Sequence, residues 1–369
     1  AMPTGEPVTL HAFEPFSLEI QPVSMTNVGS ERAEVAGRTV EGWRLEVDSE
    51  MLGPSTNWVD DEGLILGTRY TVGELVFEIV RVPAEDAVQF ESGELPGSAD
   101  APDLIGGTAV RVDTAIPHPR QCRELTARVR GVDRRRLLID DRRQHYGPVK
   151  ETPDGGLVAT LTVRAQGPPD ERPALGSEPP GDVTVFLEST ATIQADDPRF
   201  IAVAEEVVGH ETDPWVAAWS IAEWVDATMT ADLNEPLLRS ALEVLEDPSG
   251  ACRSYAALYC GVARAAGIPC RVAVGAVYAP EALGTSAFAF HAWNEVWVGE
   301  WVAIDATLAV PGYPQPADAT HIKFTQGDVR AFAPAARVIR SLDLEVLDAD
   351  TMGEAEEGAE AKQGEVVTR

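Results

Sequence analysis

The spacing of apolar residues changes twice along the chain, and this limits the folds that it can adopt. Up to about residue 190 the apolar runs are short and rich in β-formers, as at 42–47, 75–82 and 157–163. Between about residues 196 and 266 apolar residues recur at helical spacing, and from 271 onward the period falls to two again. Helices followed by strands within about 130 residues predict an α+β fold rather than a doubly wound sheet.

Composition divides the 369 residues into three parts. We predict a mainly β region at 1–190, a catalytic core at 191–350, and an acidic, disordered tail at 351–369. A Pro/Gly/Asp-rich break at 95–103 would separate two β subdomains, and five prolines within 167–181 predict a linker or long loop. Further strands are predicted at 124–129, 136–139 and 183–187.

Start and stop signals predict four helices in the core. Asp197 and Asp213 each precede a proline, which supplies an N-cap followed by the residue favoured at the first helical position. A third helix is predicted at 237–245. The fourth begins near Cys252 and ends before Gly267, because glycine suits the position after a helix and Pro269 prevents continuation. The strands that follow are predicted at 271–278, 288–298 and 301–306.

The charge of the chain limits its partners. There are 60 acidic residues and only 29 basic ones, a formal net charge of −31. A surface this negative repels phosphates, so we predict no nucleic-acid partner. No run of 18 apolar residues exists, so no transmembrane segment is predicted. No signal peptide is visible, but Ala1 is not a natural start, so the compartment stays open between the cytoplasm and export. The oligomeric state is equally open.

Four cysteines without a CxxC pair are too few for a disulfide scaffold and unsuited to zinc, so no metal or cofactor is predicted. Cys252 differs from the others because it lies in the first turn of a predicted helix. There the unpaired N–H groups and the positive end of the helix dipole stabilise a thiolate, which is the nucleophilic form of cysteine. A cysteine in a helix is nevertheless most often a small buried apolar residue, so position alone does not establish catalysis.

A histidine and an aspartate lie on the two strands that follow. Alternation places His291 on the same strand face as Trp293, Glu295 and Trp297. Asp305 ends the next strand, which is otherwise apolar, so a buried carboxylate there needs a partner. Imidazole on the adjacent strand is suited to that role, and the pairing would also determine its tautomer.

The two side chains can meet only in one register of the hairpin. A two-residue turn at 299–300 would place Asp305 opposite Asn294 and leave His291 on the wrong face. The connection must therefore have an odd length, such as 298–300 with Gly299 at positive φ. That register places Trp293 opposite Asp305 and His291 diagonal to it, within reach of its side chain.

Four segments resemble the core motifs of the transglutaminase-like family, over about residues 196–325. They are 250–256 (GACRSYA), 265–272 (AAGIPCRV), 291–296 (HAWNEV) and 301–307 (WVAIDAT). One departure is Ala306, where the family usually has proline. The resemblance implies a papain-like core with the catalytic residues Cys252, His291 and Asp305. The cysteine would attack an amide carbonyl, the histidine would serve as base and then acid, and the aspartate would orient it.

The resemblance favours cysteine-dependent cleavage or acyl transfer at a peptide or isopeptide amide, with a protein or peptide as substrate. A protease or amidase is favoured, because no acidic calcium-site cluster and no barrel-domain pattern of the animal cross-linkers is evident. We expect Trp293 and Trp297 to pack against the Cys252 helix rather than to line an amine channel. The alternatives are a cross-linking transglutaminase and a non-catalytic binding or assembly module with a vestigial triad.

The oxyanion of such a reaction needs two donors. The backbone N–H of Cys252 can supply one. Trp215, Trp219 and Trp224 are candidates for the other, although a tryptophan stripe at nearly helical spacing is more typical of core packing.

Other reactive residues are assigned structural roles. Cys260 and Cys270 have no helix terminus to activate them. His321 follows the core in a segment that resembles bacterial members of the family, and a structural role is favoured over a catalytic one. The arginines at 134–136 and 142–143 are expected to offset neighbouring acids rather than to bind phosphate.

Overall fold

The computed structural model divides the chain into two compact units. Unit 1 comprises residues 1–110 and 333–342, and unit 2 comprises 111–332 and 343–369. Residues 111–190 therefore cluster with the region that contains Cys252. The residues described are 4–14, 19–49, 53–72, 75–83, 109–132, 135–153, 155–232, 239–308, 316–328, 335, 338 and 341–351.

The predicted break at 95–103 and the predicted disordered tail, apart from Thr351, lie outside the described residues. The proline-rich stretch at 167–181 is described, and it is almost entirely irregular backbone within unit 2. None of the described helices combines the length and the apolar character that crossing a bilayer requires.

Strands make up much of both units. Numbered along the chain, they are β1 (Pro7–Glu14), β2 (Glu19–Val35), β3 (Arg38–Ser49), β4 (Gly53–Val59), β5 (Ile65–Val72), β6 (Leu75–Val80), β7 (Val110–Arg111), β8 (Cys122–Val132), β9 (Gln144–Tyr146), β10 (Lys150–Glu151), β11 (Leu157–Arg164), β12 (Thr230–Ala231), β13 (Ser249–Gly250), β14 (Cys270–Tyr278), β15 (Ala287–Trp297), β16 (Trp301–Ile304), β17 (Ile322–Gly327) and β18 (Asp343–Thr351).

Unit 1 is an antiparallel meander in which β1 to β6 pair in sequence order. Val35, Val40 and Trp58 form its buried cluster, against which Leu66 and Val80 pack. In unit 2, β10, β11, β8 and β18 are neighbours in that order, and β9 also pairs with β11. A second antiparallel sheet has the order β16, β15, β14 and β17.

Six helices are described, all in unit 2: α1 (Gly181–Thr184), α2 (Pro198–Val208), α3 (Pro214–Thr228), α4 (Ala241–Glu246), α5 (Cys252–Ala265) and α6 (Pro280–Leu283). The predicted starts of α2 and α3 are confirmed, because Asp197 and Asp213 accept hydrogen bonds from backbone N–H groups of the first turn. Mixed helices and strands behind a strand-rich N-terminal region confirm the predicted α+β class.

Helix α5 occupies the centre of unit 2, packed against α2, α3, α4, β14 and β15. Leu258, Tyr259 and Cys260 are fully buried, and the Tyr259 hydroxyl donates to the carbonyl of Ala218 in α3. From the sheet, Asn294 donates to the carbonyl of Ala256. This bond ties β15 to the helix and defines the strand face that looks toward it.

Three predicted elements differ from the structure. Residues 183–187 form the end of α1 and a 3₁₀ turn instead of the predicted strand. The prediction failed because an apolar run this short, after two prolines, has no periodicity that distinguishes a strand from a helix. Residues 135–137 form another 3₁₀ turn, and the strand beside β11 is supplied by β9 instead. The third helix begins only at Ala241, because Ser240 and Glu243 form a capping box there.

The predicted hairpin register is confirmed. Trp297 pairs with Trp301 and Asn294 with Ile304, so three residues connect β15 to β16. Gly299, in the middle of this connection, has φ of +99°. If this register is continued by one residue, Trp293 lies opposite Asp305, as expected for a connection of odd length.

Gly275 allows β17 to approach β14 where their register shifts. A Cβ at this position would lie 1.8 Å from the carbonyl oxygen of Ile322, so one strand would have to move. We expect Gly275→Ala to lower the free energy of unfolding by about 3 kcal/mol, measured by urea denaturation. Gly167→Ala is the matched control, because a Cβ there would meet no heavy atom within 4 Å. Equal stability of the two variants would contradict this account of the strand contact.

Candidate active site

Cys252 is the first residue of α5 and is partly exposed, whereas Cys122, Cys260 and Cys270 are buried. The N-termini of α2, α3 and α4 are capped by the side chains of Asp197, Asp213 and Ser240. At α5 the capping position is Ala251, which offers no such group, and no side-chain cap is found in the described structure. The positive end of the α5 dipole therefore faces the sulfur without a capping side chain between them.

The backbone before Cys252 is held by a short parallel pairing. Thr230 pairs with Ser249 and Ala231 with Gly250. Gly250 has φ of +145°, in the region that favours glycine. The turn that presents the cysteine is thus anchored to the chain that follows α3.

His291 and Asp305 form a buried pair. Nε2 of the imidazole lies 2.7 Å from Oδ2 of the carboxylate, and the two residues are only 8% and 6% exposed. This bond leaves Nδ1 of His291 for Cys252, whose thiol contributes both a hydrogen bond and a charge interaction to the imidazole. The structure thereby brings together the three side chains that the sequence singled out.

Thr307 holds the other oxygen of the same carboxylate. Its backbone N–H and its hydroxyl donate to Oδ1 of Asp305 at 2.9 and 2.7 Å. The hydroxyl also lies 3.4 Å from Nε2 of His291. Thr307 stood in a predicted motif without a role of its own, and its position two residues after the aspartate is the local signal for such a turn.

His321 is a second imidazole on Asp305. Its Nε2 lies 3.1 Å from Oδ2, the oxygen that also bonds to His291. Trp293 packs against both imidazoles, with its ring centroid 5.2 Å from that of His321 and 6.2 Å from that of His291. The sequence assigned His321 a structural role but did not identify this contact.

The segment of His321 is held by two arginines. Arg120 donates to Oδ2 of Asp318 at 2.9 Å. Arg143 is buried, and its guanidinium donates to the backbone carbonyls of Asp318 and His321. Arg143 also lies within charge interaction of Asp318, Glu295 and Asp141, as predicted, although its hydrogen bonds to carbonyl oxygens were not foreseen.

Burial and charge act in opposite directions on these groups. Burial alone would lower the pKa of His291, but the charge and hydrogen bond of Asp305, with a smaller contribution from Cys252, raise it to about 10. Burial likewise opposes ionisation of Asp305, and His291 and His321 outweigh it, so its pKa lies well below the ordinary value. Asp318 is buried too, yet His321, Arg120 and Thr320 lower its pKa to about 2. The centre is therefore charged at neutral pH.

Three of these groups also have the composition of a metal site. The ligand atoms of His291, Asp305 and His321 all lie within 4.8 Å of one another. Zinc would need each donor at about 2.0–2.2 Å and both facing nitrogens without protons. Here the two nitrogens already lie at hydrogen-bond distance, 2.7 and 3.1 Å, from a single carboxylate oxygen. The arrangement fits a protonated network better than a metal centre.

A small cavity of about 20 Å³ adjoins this network. Trp219, Asp305, Leu308 and His321 are among the residues that line it. It is large enough for one water molecule and too small for a peptide, so it is not the substrate cleft. The indole Nε1 of Trp219 is buried without a hydrogen-bond partner among the described residues.

A family model described as the transglutaminase-like superfamily matches residues 201–306. A candidate cysteine protease from Cytophaga hutchinsonii is a similar solved structure, with 18% identity over 62% of this chain and 90% of that chain and a TM-score of 0.42. The periplasmic domain of TgpA from Pseudomonas aeruginosa, bound to ethylmercury, has 20% identity over 55% of this chain and 90% of that chain and a TM-score of 0.37. No curated protein matches the sequence.

Fold and geometry together describe an α+β core with a cysteine at an uncapped helix N-terminus and a buried imidazole–carboxylate pair on adjoining strands. The family match includes Cys252, His291 and Asp305. The chain therefore carries a transglutaminase-like core, as the resemblance of its motifs predicted. This match supports a cysteine-dependent kind of enzyme.

The raised pKa of His291 makes stability depend on pH. The folded value of about 10 exceeds the unfolded value of 6.5, so the contribution is complete below about pH 6.5 and is lost as the pH rises through about 10. We expect the free energy of unfolding to fall between pH 7 and 10 by a few kcal/mol more than in His291→Gln. Urea denaturation at each pH measures it. Parallel pH profiles of the two proteins would contradict the His291–Asp305 coupling.

Proposed function

We propose that the protein is a cysteine-dependent protease or amidase that cleaves a peptide or isopeptide amide through a thioester on Cys252. The observation that carries this proposal is the position of Cys252 at the uncapped start of α5, beside an imidazole whose far nitrogen is held by Asp305. A vestigial site would have no need to keep a charged imidazole–carboxylate pair buried, since burying such groups is costly.

In the first half of the reaction, the Cys252 thiolate attacks the amide carbonyl carbon and forms a C–S bond. The carbonyl electrons move to oxygen and then return, and the C–N bond breaks. His291, protonated at both nitrogens, gives its Nδ1 proton to the leaving amine. Asp305 retains the Nε2–H and thereby keeps the ring in the orientation and tautomer that the transfer requires.

The tetrahedral oxyanion needs donors that are in place before it forms. The backbone N–H of Cys252 is one, because the N–H of the first helical residue has no partner within the helix. Trp219 is our candidate for the second, since its Nε1 is buried without a partner among the described residues and it lines the same small cavity as Asp305. Trp215 is buried as well and fits the predicted core role.

In the second half, neutral His291 takes a proton from water, and the resulting hydroxide attacks the thioester and releases the thiolate. We favour water over an amine as the acceptor because both strand tryptophans have packing partners on the strands, Trp293 in a cluster with alanines and Trp297 against Trp301. Trp293 clusters with Ala273 and Ala303, on the face opposite the one that contacts α5, so the expected packing against that helix was wrong for this residue. The backbone N–H of Trp297 donates to Pro269, beyond the far end of α5, about 20 Å along the helix from Cys252.

Reactivity of Cys252 tests the first step. Because the other three cysteines are buried, a comparison among cysteines would measure exposure alone. We therefore compare Cys252 with itself: iodoacetamide should alkylate it at pH 7 at least about tenfold faster in the unaltered protein than in His291→Ala, which lacks the imidazole that stabilises the thiolate. Peptide mass spectrometry after timed quenching gives the rate.

His145→Ala is the matched control for that comparison. His145 is an exposed histidine whose Nδ1 lies 3.0 Å from Asp140, so it reproduces a histidine–carboxylate pair away from the cysteine. This variant should alkylate at the unaltered rate. Equal rates in the protein with and without His291 would instead favour a non-catalytic binding or assembly module.

The fate of the thioester separates a hydrolase from a cross-linker. A peptide library that includes glutamine-containing members is incubated with and without a fluorescent primary amine, and products are followed by mass, with Cys252→Ala as control. We expect hydrolysis without amine, and hydrolysis to outrun amine incorporation at millimolar amine. Faster incorporation would reverse the assignment to a cross-linking transglutaminase. An absence of turnover with Cys252 still alkylated would favour the binding module.

A further inference from the structure

Both ring nitrogens of His321 face hydrogen-bond acceptors. Nε2 lies 3.1 Å from the carboxylate oxygen of Asp305, and Nδ1 lies 3.2 Å from the backbone carbonyl of Asp318. The same Nδ1 is 3.5 Å from Oδ1 of the Asp318 carboxylate. A carbonyl and an ionised carboxylate can only accept. A neutral ring would have to direct a lone pair at one of them, whereas a ring protonated at both nitrogens satisfies both contacts.

The charges around His321 also favour a cation. The ring is only 1% exposed, so bulk solvent does little to compensate for an unfavourable contact. Two carboxylates, those of Asp305 and Asp318, lie next to it, and the edge-to-face contact with Trp293 at 5.2 Å suits a cationic ring. Among the described residues, the charged or titratable groups around this segment are Asp305, Asp318, His291, Arg120, Arg143, Cys122, Cys252, Glu295, Lys323 and Asp141.

The positive members of that group are already engaged elsewhere. Arg120 bonds to the carboxylate of Asp318, and Arg143 bonds to backbone carbonyls. Lys323 bridges Glu295 and Asp141 at 2.5 and 2.7 Å. Among the described residues, His321 is thus the group placed to supply positive charge directly to Asp305 in addition to His291.

We infer that His321 is a buried imidazolium that acts as a positioning residue: together with His291 it holds oxygen Oδ2 of the Asp305 carboxylate and balances its negative charge. The inference rests on the proposed function, because positioning of Asp305 matters to a reaction only if His291 and Cys252 react.

Two consequences follow for His291. The second N–H···O bond restrains Oδ2 of Asp305, so the first imidazole meets an acceptor with little freedom to rotate. In addition, the centroid of the His321 ring lies 5.9 Å from that of the His291 ring. A positive charge on His321 therefore makes the His291 imidazolium easier to deprotonate. His291 must release its proton to the leaving amine, and the second cation moderates the strong hold that Asp305 exerts on that proton.

The protonation state is read directly by NMR of the protein labelled with ¹⁵N-histidine. At pH 7 we expect both ring nitrogens of His321 to carry protons, with the signal assigned by its loss in His321→Gln. If that variant does not fold, backbone-to-side-chain correlation in the unaltered protein assigns the signal. A neutral tautomer of His321 at pH 7 would overturn the inference.

The positioning role is tested by the titration of His291 in His321→Gln, followed by the same NMR signals. The glutamine amide can still donate to Asp305 but carries no charge. We expect the pKa of His291 to rise from about 10 by about one unit, because a neighbouring cation has been removed. If His321 only filled space, the variant would loosen the pair and let in water, and the pKa would fall toward the ordinary 6.5. An unchanged or lowered value overturns the inference.

His145→Gln is the matched control, since it removes an exposed histidine that also bonds to a carboxylate, and it should leave the His291 titration unchanged. Failure of the proposed function has a different signature. Cys252 would then alkylate no faster in the unaltered protein than in His291→Ala, while both NMR measurements on His321 and His291 would still decide the inference on their own.

Discussion

The carboxylate of Asp305 is the contact on which the geometry of the site depends. A carboxylate buried this deeply is stable only if hydrogen bonds and opposite charge replace its water. His291 and His321 supply the charge through one oxygen, and Thr307 binds the other. These partners come from β15, from the chain after β16 and from the segment before β17. The hydrogen bonds that satisfy this one buried charge therefore fix three chain segments relative to each other. The same bonds position the imidazole that faces Cys252.

Helix α5 is the second constraint, and its middle and its first turn meet opposite requirements. Its middle is packed on nearly all sides, so closely that a Cβ at Gly261 would lie 2.5 Å from the ring of Phe200. Its first turn lacks the side-chain cap that α2, α3 and α4 possess, which forgoes about 1 kcal/mol of stability. Burial of the middle of the helix compensates for the stability that is lost at its partly exposed first turn. The positive end of the helix dipole is then available to stabilise a thiolate or an oxyanion.

Residues 111–190 take part in the same network, which explains why they cluster with the segment that contains Cys252. Asp141 and Glu295 share the buried ammonium of Lys323, and Gln144 bonds to the backbone of Lys323 through both its amide oxygen and its amide nitrogen. Arg143 reaches the carbonyls before β17. Removing one partner from such a network leaves an uncompensated buried charge, so these contacts specify one arrangement of the strands more than they add stability. The chain ahead of the family motifs is thus a support for the site.

The sequence by itself determined the features whose causes act over a few residues. Asp197 and Asp213 mark the starts of their helices because a cap bonds to N–H groups two or three positions away. The odd length of the loop around Gly299 determines which face of β15 meets Asp305. Where the local signal was ambiguous, as at 183–187, pattern alone misassigned the element. Only the tertiary structure decided that His321 shares Asp305, that Arg143 binds carbonyls and that Trp293 turns away from α5. Hydrogen bonds and charge pairs between segments far apart in the chain depend on which strands become neighbours, and no periodicity or spacing encodes that choice.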